Sequence, residues 1–333
     1  MKKLKVGVIG VGHLGRLHAS IYTQIPEAEL IGVFDTDVHR CNEVAAEFNT
    51  KAFSNPDELI SRVQGMSIVV PTTFHHEVAT NVLNSGVHCL IEKPITSTIE
   101  EANDLIKTAE AKNAIIQIGH IERFNPAIVA LNGIDLDPMF VESHRLASFN
   151  PRGTDVAVVL DLMIHDIDII LSLVKSPVRQ IDASGVAVIT NEVDIANARI
   201  QFENGAVANV TASRISQKKM RKMRLFQKNA YISIDFLQKF SEIYRLVDSD
   251  SKEGAAFGIP VEFGDNQQGR KIIYEKPPVE EGNALKMELA SFIEAIKTNS
   301  EPAVSGEQGK EALRVAIEIT QMIKEQLQTL GIE

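Results

Sequence analysis

A nearly continuous apolar stretch, VVLDLMIHDIDIIL, carries three aspartates and one histidine, residue types that transfer protons or bind metals. Burying such groups among hydrocarbon side chains costs free energy unless each group is paired or functional. If the stretch is helical, Asp161, His165 and Asp168 are spaced i, i+4 and i+7 and fall within a narrow arc. Asp166 points to the opposite side. The acids therefore do not form one cluster, and we expect no metal site.

His165 is the residue of this arc best suited to catalysis, because an imidazole with a pKa near 6.5 exchanges protons at neutral pH. We predict that it acts as the general base for a hydroxyl proton, and that Asp161, one turn earlier, holds its orientation. Asp168 is expected to be structural. Taken alone, the alternative for His165 is a hydrogen-bonded histidine of the core.

A second group of residues is typical of phosphate binding. The segment VIGVGHLG places three glycines in G-x-G-x-x-G spacing between a strand-like and a helix-like segment, the context that a dinucleotide site requires. Gly10 permits a tight turn, Gly12 the approach of the backbone to a pyrophosphate at the helix N-terminus, and Gly15 the packing of helix on strand. His13 and Leu14 are included in this predicted cofactor site. The alternative is a turn without a ligand.

Asp35 ends the second strand-like segment, at the distance where an acid binds the adenosine ribose hydroxyls of a dinucleotide. Its carboxylate would repel a 2′-phosphate, so we predict NAD rather than NADP as the cofactor. Arg40 lies nearby on the next predicted helix and could weaken that preference. The alternative for Arg40 is a solvated surface charge.

The segment IEKP ends a further strand at the carboxyl edge of the predicted sheet, where ligands bind in folds of this class. Lys93 can reach a nicotinamide pocket from this edge, and Pro94 fixes the turn that directs it. A desolvated lysine could share the substrate proton or hydrogen-bond a developing alkoxide. Taken alone, a loop lysine is more often exposed to solvent.

The elements around these residues predict the fold. In the first third of the chain, strand-like segments alternate with helices, which indicates a doubly wound parallel sheet. After about Ile121 the pattern changes to strands with hairpin signals, the clearest at Asn204-Gly205, and long helices end the sequence. We predict an α/β fold with an N-terminal Rossmann domain, 1–121, and an α+β domain, 122–333. The second domain has a large, mainly antiparallel open sheet, and its C-terminal helix could pack back on the first.

Composition limits the possible functions. The formal charge of −10 makes the chain a poor candidate for nucleic-acid binding, which depends on neutralising phosphates. The two cysteines, Cys41 and Cys89, lack a metal-ligand spacing and suggest a cytoplasmic protein. The first apolar run is short and interrupted by glycine, so we interpret it as a strand rather than a signal peptide. No segment approaches the roughly 20 apolar residues of a membrane span.

The order of the motifs resembles that of the Gfo/Idh/MocA family of glucose–fructose oxidoreductase and inositol dehydrogenase. Four motifs follow one another along the chain: the glycine fingerprint, VPTTFHH, EKP and D-x-x-x-H-x-x-D. The resemblance extends to ELASFIEAI and GKEALRVAIEI near the end. It implies that Lys93 and His165 flank the substrate and that Asp161 matches the aspartate one turn earlier. It also implies a nicotinamide site lined by Pro71, Thr72, Phe74, His75, Glu92 and Lys93.

The sequence departs from the family pattern ahead of the Asp/His helix, where many members have Gly-Gly and this chain has TDVAVVLD. The segments GHIERFNPA and RGTDVAVVLDLMIHDIDI are similar to bacterial sugar-nucleotide dehydrogenases, of which UDP-N-acetylglucosamine 3-dehydrogenases are the nearest group. That resemblance implies an NAD-dependent dehydrogenase that transfers hydride from a sugar hydroxyl, at C3 of a UDP-N-acetyl-sugar, to the nicotinamide. The family also implies a homodimer or homotetramer built on the open sheet face.

Two alternatives remain for the function. One is an aldose, inositol or other polyol dehydrogenase of the same family. The other is a sensor that binds NAD without catalysis, although the presence of both Lys93 and His165 argues against it, because a pure binder has less need of a proton-transfer pair.

Several basic residues could bind the sugar or its diphosphate, because a guanidinium group suits the geometry of a phosphate. They are Arg123, Arg145 and Arg152, each with a surface or structural role as the alternative. The basic run at 216–228, SQKKMRKMRLFQK, is either a solvated strand face or a contact for a nucleotide phosphate.

Overall fold

A computed structural model of the chain describes residues 3–150, 156–248, 258–260, 270–279 and 282–331. The chain divides into two compact units, of which the first consists of Met1–Phe124 and Gly282–Arg314. The second consists of Asn125–Glu281 and Val315–Glu333. The sequence-based division assigns everything after residue 121 to the second domain, whereas a helical segment near the end of the chain belongs to the first compact unit.

The first unit contains a parallel sheet with helices between its strands. The strands are β1 (Leu4–Ile9), β2 (Ala28–Phe34), β3 (Lys51–Ala52), β4 (Gly65–Ile68), β5 (His88–Glu92) and β6 (Ile116–Gly119). The helices are α1 (His13–Tyr22), α2 (Val38–Glu47), α3 (Pro56–Ile60), α4 (His75–Asn84) and α5 (Ile99–Lys112). Within the described residues the strand order is β3-β2-β1-β4-β5-β6 and every neighbouring pair is parallel. The order reverses between β1 and β4, where doubly wound sheets bind ligands at the carboxyl ends of their strands.

Burial and capping explain why these segments form these elements. Every residue of β4 and β6 is buried, as expected for strands covered on both faces by helices. Helix α5 begins at a capping box. The Thr98 side chain accepts the backbone N–H of Glu101, and the Glu101 side chain accepts the backbone N–H of Thr98. It ends at Asn113, which has the left-handed conformation common at helix ends.

The core of the first unit is completed by a helix distant in sequence. Helix α8 (Ala284–Thr298) contributes Leu289, Phe292 and Ile293 to the hydrophobic cluster that also contains the buried side chains of β1 and α1. The sequence predicts this helix, and the expectation that a C-terminal helix packs back on the first domain agrees with the inclusion of Gly282–Arg314 in the first unit. Neither β3 nor α3 is predicted from the sequence.

The second unit is built on a large mixed sheet. Its strands are β7 (Phe140–Leu146), β8 (Val178–Val186), β9 (Ile195–Phe202), β10 (Val207–Ser213), β11 (Met220–Gln227), β12 (Ala230–Asp235), β13 (Phe240–Asp248), β14 (Gly258–Pro260) and β15 (Arg270–Glu275). In the part of the chain that the structure describes, the strand order is β14-β15-β13-β12-β11-β7-β10-β9-β8. The pair β7 and β10 is parallel and the other neighbouring pairs are antiparallel. The helices are α6 (Pro126–Val129), α7 (Ile164–Val174) and the portion of α9 (Gly306–Thr329) that follows Arg314.

Alternation along the strands gives this sheet one buried face. Val141, Ala208 and Val210 are fully buried on it, and α7 packs against β7 and β10. The predicted tight turn at Asn204-Gly205 joins β9 to β10, with Gly205 at a φ of 87°. A parallel doubly wound sheet followed by a large, mainly antiparallel sheet confirms the predicted fold class.

Candidate active site

The turn between β1 and α1 has the backbone geometry that its three glycines permit. Gly10 has a φ of 85°, and a Cβ built on it would lie 2.4 Å from the carbonyl oxygen of Val69. A Cβ on Gly15 would lie 1.8 Å from the carbonyl oxygen of Gly10, so a side chain there would separate the helix from the strand. At Gly12, the N-cap of α1, nothing in the described chain lies within 4 Å of the Cβ position.

The N-terminal end of α1 is suited to an anion. Because its N-cap is a glycine, no side chain caps the first N–H groups of the helix, and such groups bind phosphate in many proteins. His13 and Leu14 form the exposed start of the helix. The open side of Gly12 and the uncapped helix end therefore fit the pyrophosphate of a dinucleotide.

Asp35, directly after β2, lies beside this turn. It is 8% exposed, and its carboxylate accepts hydrogen bonds from the backbone N–H groups of Val11 at 2.8 Å and Asp37 at 2.9 Å. Nη2 of Arg40 lies 3.1 Å from the same carboxylate, and the Arg40 side chain is 44% exposed. Arg40 is therefore both partly solvated and in contact with the acid that is predicted to bind the ribose.

His75 connects the two loops that are predicted to line the nicotinamide. Its ring nitrogens lie 2.9 Å from the carbonyl oxygens of Val70 and Pro94, and the residue is 1% exposed. Burial lowers the pKa of His75, although the two carbonyls and the charge of Glu92 favour the protonated ring. Since both nitrogens face backbone oxygens, the side chain positions these loops rather than offering a polar atom to a ligand.

The remaining predicted residues of these loops lie nearer the surface. Pro71 and Phe74 are exposed, and Thr72 is half-buried in a short 3-10 turn, Thr72–Phe74. Lys93 is half-buried after β5, and its peptide bond to Pro94 is cis. Within the first unit, the structure thus places the glycine turn beside Asp35 and joins the loop before α4 to the EKP loop.

Glu92, the last residue of β5, has a partner that the sequence does not predict. Its carboxylate lies 3.0 Å from Nε2 of His18, which is 1% exposed on α1. Burial opposes ionisation of Glu92, but the hydrogen bond and charge of His18 and the charge of Lys93 hold its pKa below the usual range. The sequence feature that indicates burial of His18 is its position on the apolar face of an amphipathic helix, four residues before Tyr22.

In the second unit, the segment that carries Asp161 and His165 is helical, with an irregular start. Val159–Met163 forms a π-helical turn and α7 follows from Ile164. Asp161 and His165 are both half-buried, while Asp168 is 1% exposed. A regular helix would place all three on one arc, but the wider π-turn changes the relation of Asp161 to the residues after it. Asp168 is thus more deeply buried than Asp161 and His165.

Asp166, which is predicted to point away from the Asp161/His165 arc, binds Arg145. The Arg145 Nε lies 2.8 Å and its Nη2 3.0 Å from the two carboxylate oxygens, and both side chains are 2% exposed. A bidentate pair of this kind is strong and geometrically specific. For Arg145, this geometry favours the structural role over binding of the substrate.

The other predicted basic residues have different surroundings. Arg123 is half-buried in a 3-10 turn, Ile121–Phe124, of the first unit, and Arg152 lies outside the described residues. The basic run forms β11, where Lys222 pairs with Asp235 at 3.2 Å and Arg224 pairs with an acid of β7 at 3.4 Å. These ion pairs favour a strand face that is neutralised within the sheet over a phosphate contact.

Neither a group of metal ligands nor a membrane-spanning helix is present in the part of the chain that the structure describes. No three His, Cys, Asp or Glu side chains within residues 3–150, 156–248, 258–260, 270–279 and 282–331 are grouped so that they could hold a metal ion. Among the helices of those ranges, none has the length and apolar character needed to cross a membrane.

Comparison with known proteins places both units in the same family. The model of an oxidoreductase family with an NAD-binding Rossmann fold matches residues 4–120, and the model of the GFO/IDH/MocA C-terminal domain matches residues 139–233. The UDP-N-acetylglucosamine 3-dehydrogenase of Acidithiobacillus ferrooxidans is 39% identical over 98% of this chain and 100% of its own. A solved structure of that relative has a TM-score of 0.88, with 38% identity over 98% of this chain and 100% of that one.

A more distant relative of similar length is the myo-inositol 2-dehydrogenase of Thermotoga maritima. It is 25% identical over 93% of this chain and 93% of its own. Similarity along the whole chain therefore includes dehydrogenases whose names refer to different substrates.

Proposed function

The chain belongs to the Gfo/Idh/MocA family of NAD-binding oxidoreductases, and on this basis we propose that it oxidises the C3 hydroxyl of a UDP-N-acetyl-sugar with transfer of hydride to NAD. Membership gives the enzyme class, an NAD-dependent dehydrogenase that acts on CH–OH groups. The observation that carries the substrate is the extent of the similarity to UDP-N-acetylglucosamine 3-dehydrogenase, which spans 98% of this chain. That span includes the surroundings of both Lys93 and His165.

The residues of the first unit suit NAD. Gly10, Gly12 and Gly15, with His13 and Leu14, would hold the pyrophosphate, since the open side of Gly12 leaves room for it. Asp35 would bind the ribose hydroxyls. Around the nicotinamide we assign Pro71, Thr72, Phe74, His75, Glu92 and Lys93, with His75 acting through the loops that it joins. When bound, NAD supplies the hydride acceptor.

The proton chemistry is assigned to three side chains. His165, which is half-buried, takes the proton of the substrate hydroxyl. Asp161, one turn earlier on the same segment, orients that ring. Lys93 hydrogen-bonds the substrate oxygen and so lowers the free energy of the developing alkoxide.

Binding of the nucleotide diphosphate is assigned to two arginines of the predicted set. Arg123 and Arg152 are the candidates, because a guanidinium group matches phosphate oxygens. Arg145 is left out of this set, because its guanidinium binds the buried Asp166.

A substrate panel tests the proposal. NADH absorbance is followed while UDP-N-acetyl-sugars, other UDP-sugars, free sugars and inositols are offered in turn. We expect the highest kcat/KM with UDP-N-acetylglucosamine. The variant His165→Ala should lose about a hundredfold or more in kcat, the usual contribution of a general base. Lys93→Ala should lose a similar factor, as for removal of a donor to an oxyanion.

Matched controls separate these effects from general damage. His39→Ala and Lys107→Ala replace exposed residues of the same types and should keep wild-type kinetics. Preference for an inositol would indicate a polyol dehydrogenase. Tight NADH binding without turnover of any compound would indicate a sensor, and full turnover by both active-site variants would contradict the assigned roles.

We further infer that a second copy of the chain packs on the exposed face of the large sheet. A row of aromatic rings crosses five strands there, with centroids separated by 5.1 to 5.7 Å. The row consists of Phe140, Phe226, Tyr231, Tyr244 and Tyr274. Aromatic residues with partial exposure are enriched at the centres of protein interfaces. The neighbouring row on the same face carries acids and bases that pair within the sheet, such as Glu142 and Arg224, so it adds no unpaired charge beside the aromatic row.

We assign the enzyme to the cytoplasm. Cys41 and Cys89 are both buried free thiols, which is typical of proteins that fold in a reducing compartment. A sugar nucleotide substrate agrees with that compartment.

A further inference from the structure

A chain of buried polar side chains leads to Glu92 from inside the first unit. The Tyr22 hydroxyl lies 2.8 Å from Oγ of Ser67, and that oxygen lies 3.2 Å from Nδ1 of His18. Nε2 of His18 lies 3.0 Å from the Glu92 carboxylate. Tyr22 and Ser67 are fully buried and His18 is 1% exposed. Four groups of α1, β4 and β5 thus form one continuous series of contacts.

The directions of these hydrogen bonds follow from the chemistry of each group. A carboxylate can only accept, so His18 donates from Nε2. If its ring is neutral, Nδ1 accepts the Ser67 hydroxyl proton, and Ser67 in turn accepts the Tyr22 hydroxyl proton. Burial raises the pKa of Tyr22 above its usual range, an effect that the charge of Glu288 on α8 reinforces, so this phenol remains a donor. Every proton then has an acceptor, and the chain selects the tautomer with hydrogen on Nε2.

The position of the Glu92 carboxylate is fixed from another side by β6. A Cβ on Gly119, which pairs with Glu92 in the sheet, would lie 3.1 Å from a carboxylate oxygen. The carboxylate therefore occupies the space that a side chain at Gly119 would take. The charged or titratable groups that act on it are His18 of α1, His75 of α4 and the adjacent Lys93.

We propose that His18 is a positioning residue of the active site, which holds the Glu92 carboxylate in place and in its ionised form. The negative charge of that carboxylate keeps the neighbouring Lys93 protonated and able to donate to the substrate oxygen. This inference rests on the proposed function in one respect, the role of Lys93. Without the His18 donor, burial would favour the neutral form of Glu92, and the ammonium group would lose the negative charge beside it. Ser67 acts one step further away by selecting the His18 tautomer.

Two substitutions at position 18 separate hydrogen bonding from packing. His18→Leu fills similar space without a donor, while His18→Gln can place an amide N–H near the position of Nε2. We expect His18→Leu to lose about tenfold in kcat, with KM for NAD changed less than twofold. The loss is smaller than for Lys93→Ala, because Lys93 is still present and only its ability to donate to the substrate oxygen is weakened. Its kcat/KM profile should shift along the pH axis by about one unit. His18→Gln should recover most of both, and Ser67→Ala should lie between wild type and His18→Leu.

A second readout requires no turnover. Reductive methylation modifies only the unprotonated amine, so the labelling rate of Lys93, followed by peptide mass spectrometry at neutral pH, reports its charge. We expect labelling several-fold faster in His18→Leu than in wild type and near wild type in His18→Gln. His88→Asn is the matched control, because it replaces a histidine at the end of β5 opposite Glu92. The asparagine oxygen can accept the Ile115 N–H in place of Nδ1 of His88. Thermal unfolding of each variant checks that it folds.

The outcomes distinguish this inference from the proposed function. Unchanged Lys93 labelling and an unchanged pH profile in folded His18→Leu would overturn the positioning role. Equal impairment of the Leu and Gln variants would also overturn it, because packing alone would then explain the loss. If wild type oxidises no compound of the panel while Lys93 labelling still depends on His18, the proposed function fails and the coupling of His18 to Lys93 stands.

Discussion

The carboxylate of Asp35 has a structural task and a predicted ligand-binding task. It ties the end of β2 to the glycine turn through the Val11 N–H, and it contacts Arg40 on the next helix. Its charge would also repel a phosphate on the adenosine ribose, and this repulsion is the basis of the predicted preference for NAD over NADP. The two tasks can be largely separated, because an asparagine keeps one oxygen for the Val11 N–H of the glycine turn while it removes the charge and the acceptor for the Asp37 N–H.

Asp35→Asn should therefore reduce the preference for NAD over NADP by about tenfold, since the like-charge repulsion is lost while the turn is retained. The measurement is the ratio of dissociation constants for NADH and NADPH, from the change in nicotinamide fluorescence on binding. Glu43→Gln is the control, because it removes an exposed acid from α2, the helix that carries Arg40. A ratio that stays at the wild-type value in Asp35→Asn would place this carboxylate away from the ribose.

At the scale of elements, the connection between β8 and β9 is organised by one buried aspartate. Asp194 is fully buried, and its Oδ2 accepts the backbone N–H groups of Val188, Ile189 and Thr190 at 2.7 to 2.9 Å. The Thr190 hydroxyl donates to the other oxygen at 2.8 Å. Burial acts against ionisation, but these donors lower the pKa of Asp194 to about 2. The loop is thus closed around a carboxylate that is ionised when folded.

This geometry predicts a dependence of stability on pH. A depressed folded-state pKa stabilises the fold above the unfolded pKa of 3.8, and the contribution is lost as the pH falls towards about 2. Asp194→Asn should be destabilised by about 2 kcal/mol at neutral pH, and the difference from wild type should shrink below about pH 4. Urea unfolding is followed by near-ultraviolet circular dichroism, because three of the four tyrosines lie in the second unit.

The exposed Asp182 of β8 provides the control, since Asp182→Asn should change stability by less than about 0.5 kcal/mol. A deficit of Asp194→Asn that stayed constant down to pH 2 would show that the loop depends on shape rather than on the charge of Asp194.

Elements with strong local signals are the ones that the sequence predicts. Alternating strands and helices, the turn at Asn204-Gly205 and the glycine fingerprint each depend on neighbouring residues, so a short window contains the information. The π-turn before α7 has no such signal, because the same apolar sequence pattern is compatible with an α-helix and with a π-helix. The contacts of His18 and Arg145 cannot be predicted from the sequence for a related reason. Their partners, Glu92 and Asp166, are 74 and 21 residues away, and only the folded sheet brings them together.

At the scale of the whole molecule, the proposed self-association would use the exposed face of the large sheet. Tyr231 and Tyr244 lie at the centre of the aromatic row, stacked with ring centroids 5.6 Å apart, and Phe226 is 37% exposed beside them. Leaving such a row in water is unfavourable for a soluble monomer, whereas a second copy related by a two-fold axis would bury both rows at once. Because the row is central, a pair of charges placed in it would meet their own copies across the interface.

The double variant Tyr231→Lys with Tyr244→Lys should therefore dissociate the assembly, because like charges would be buried against each other without partners. Light scattering coupled to size-exclusion chromatography should give a multiple of the chain mass for wild type and a single chain mass for the variant. Val38→Lys, at a position on α2 that is 67% exposed, should keep the wild-type mass. A wild-type protein that is already monomeric, or a double variant that keeps the wild-type mass, would assign the aromatic row to the stability of one sheet instead. Activity measured on the same samples would then show whether each chain needs its partner, since Glu92, Lys93 and His165 all lie outside this row.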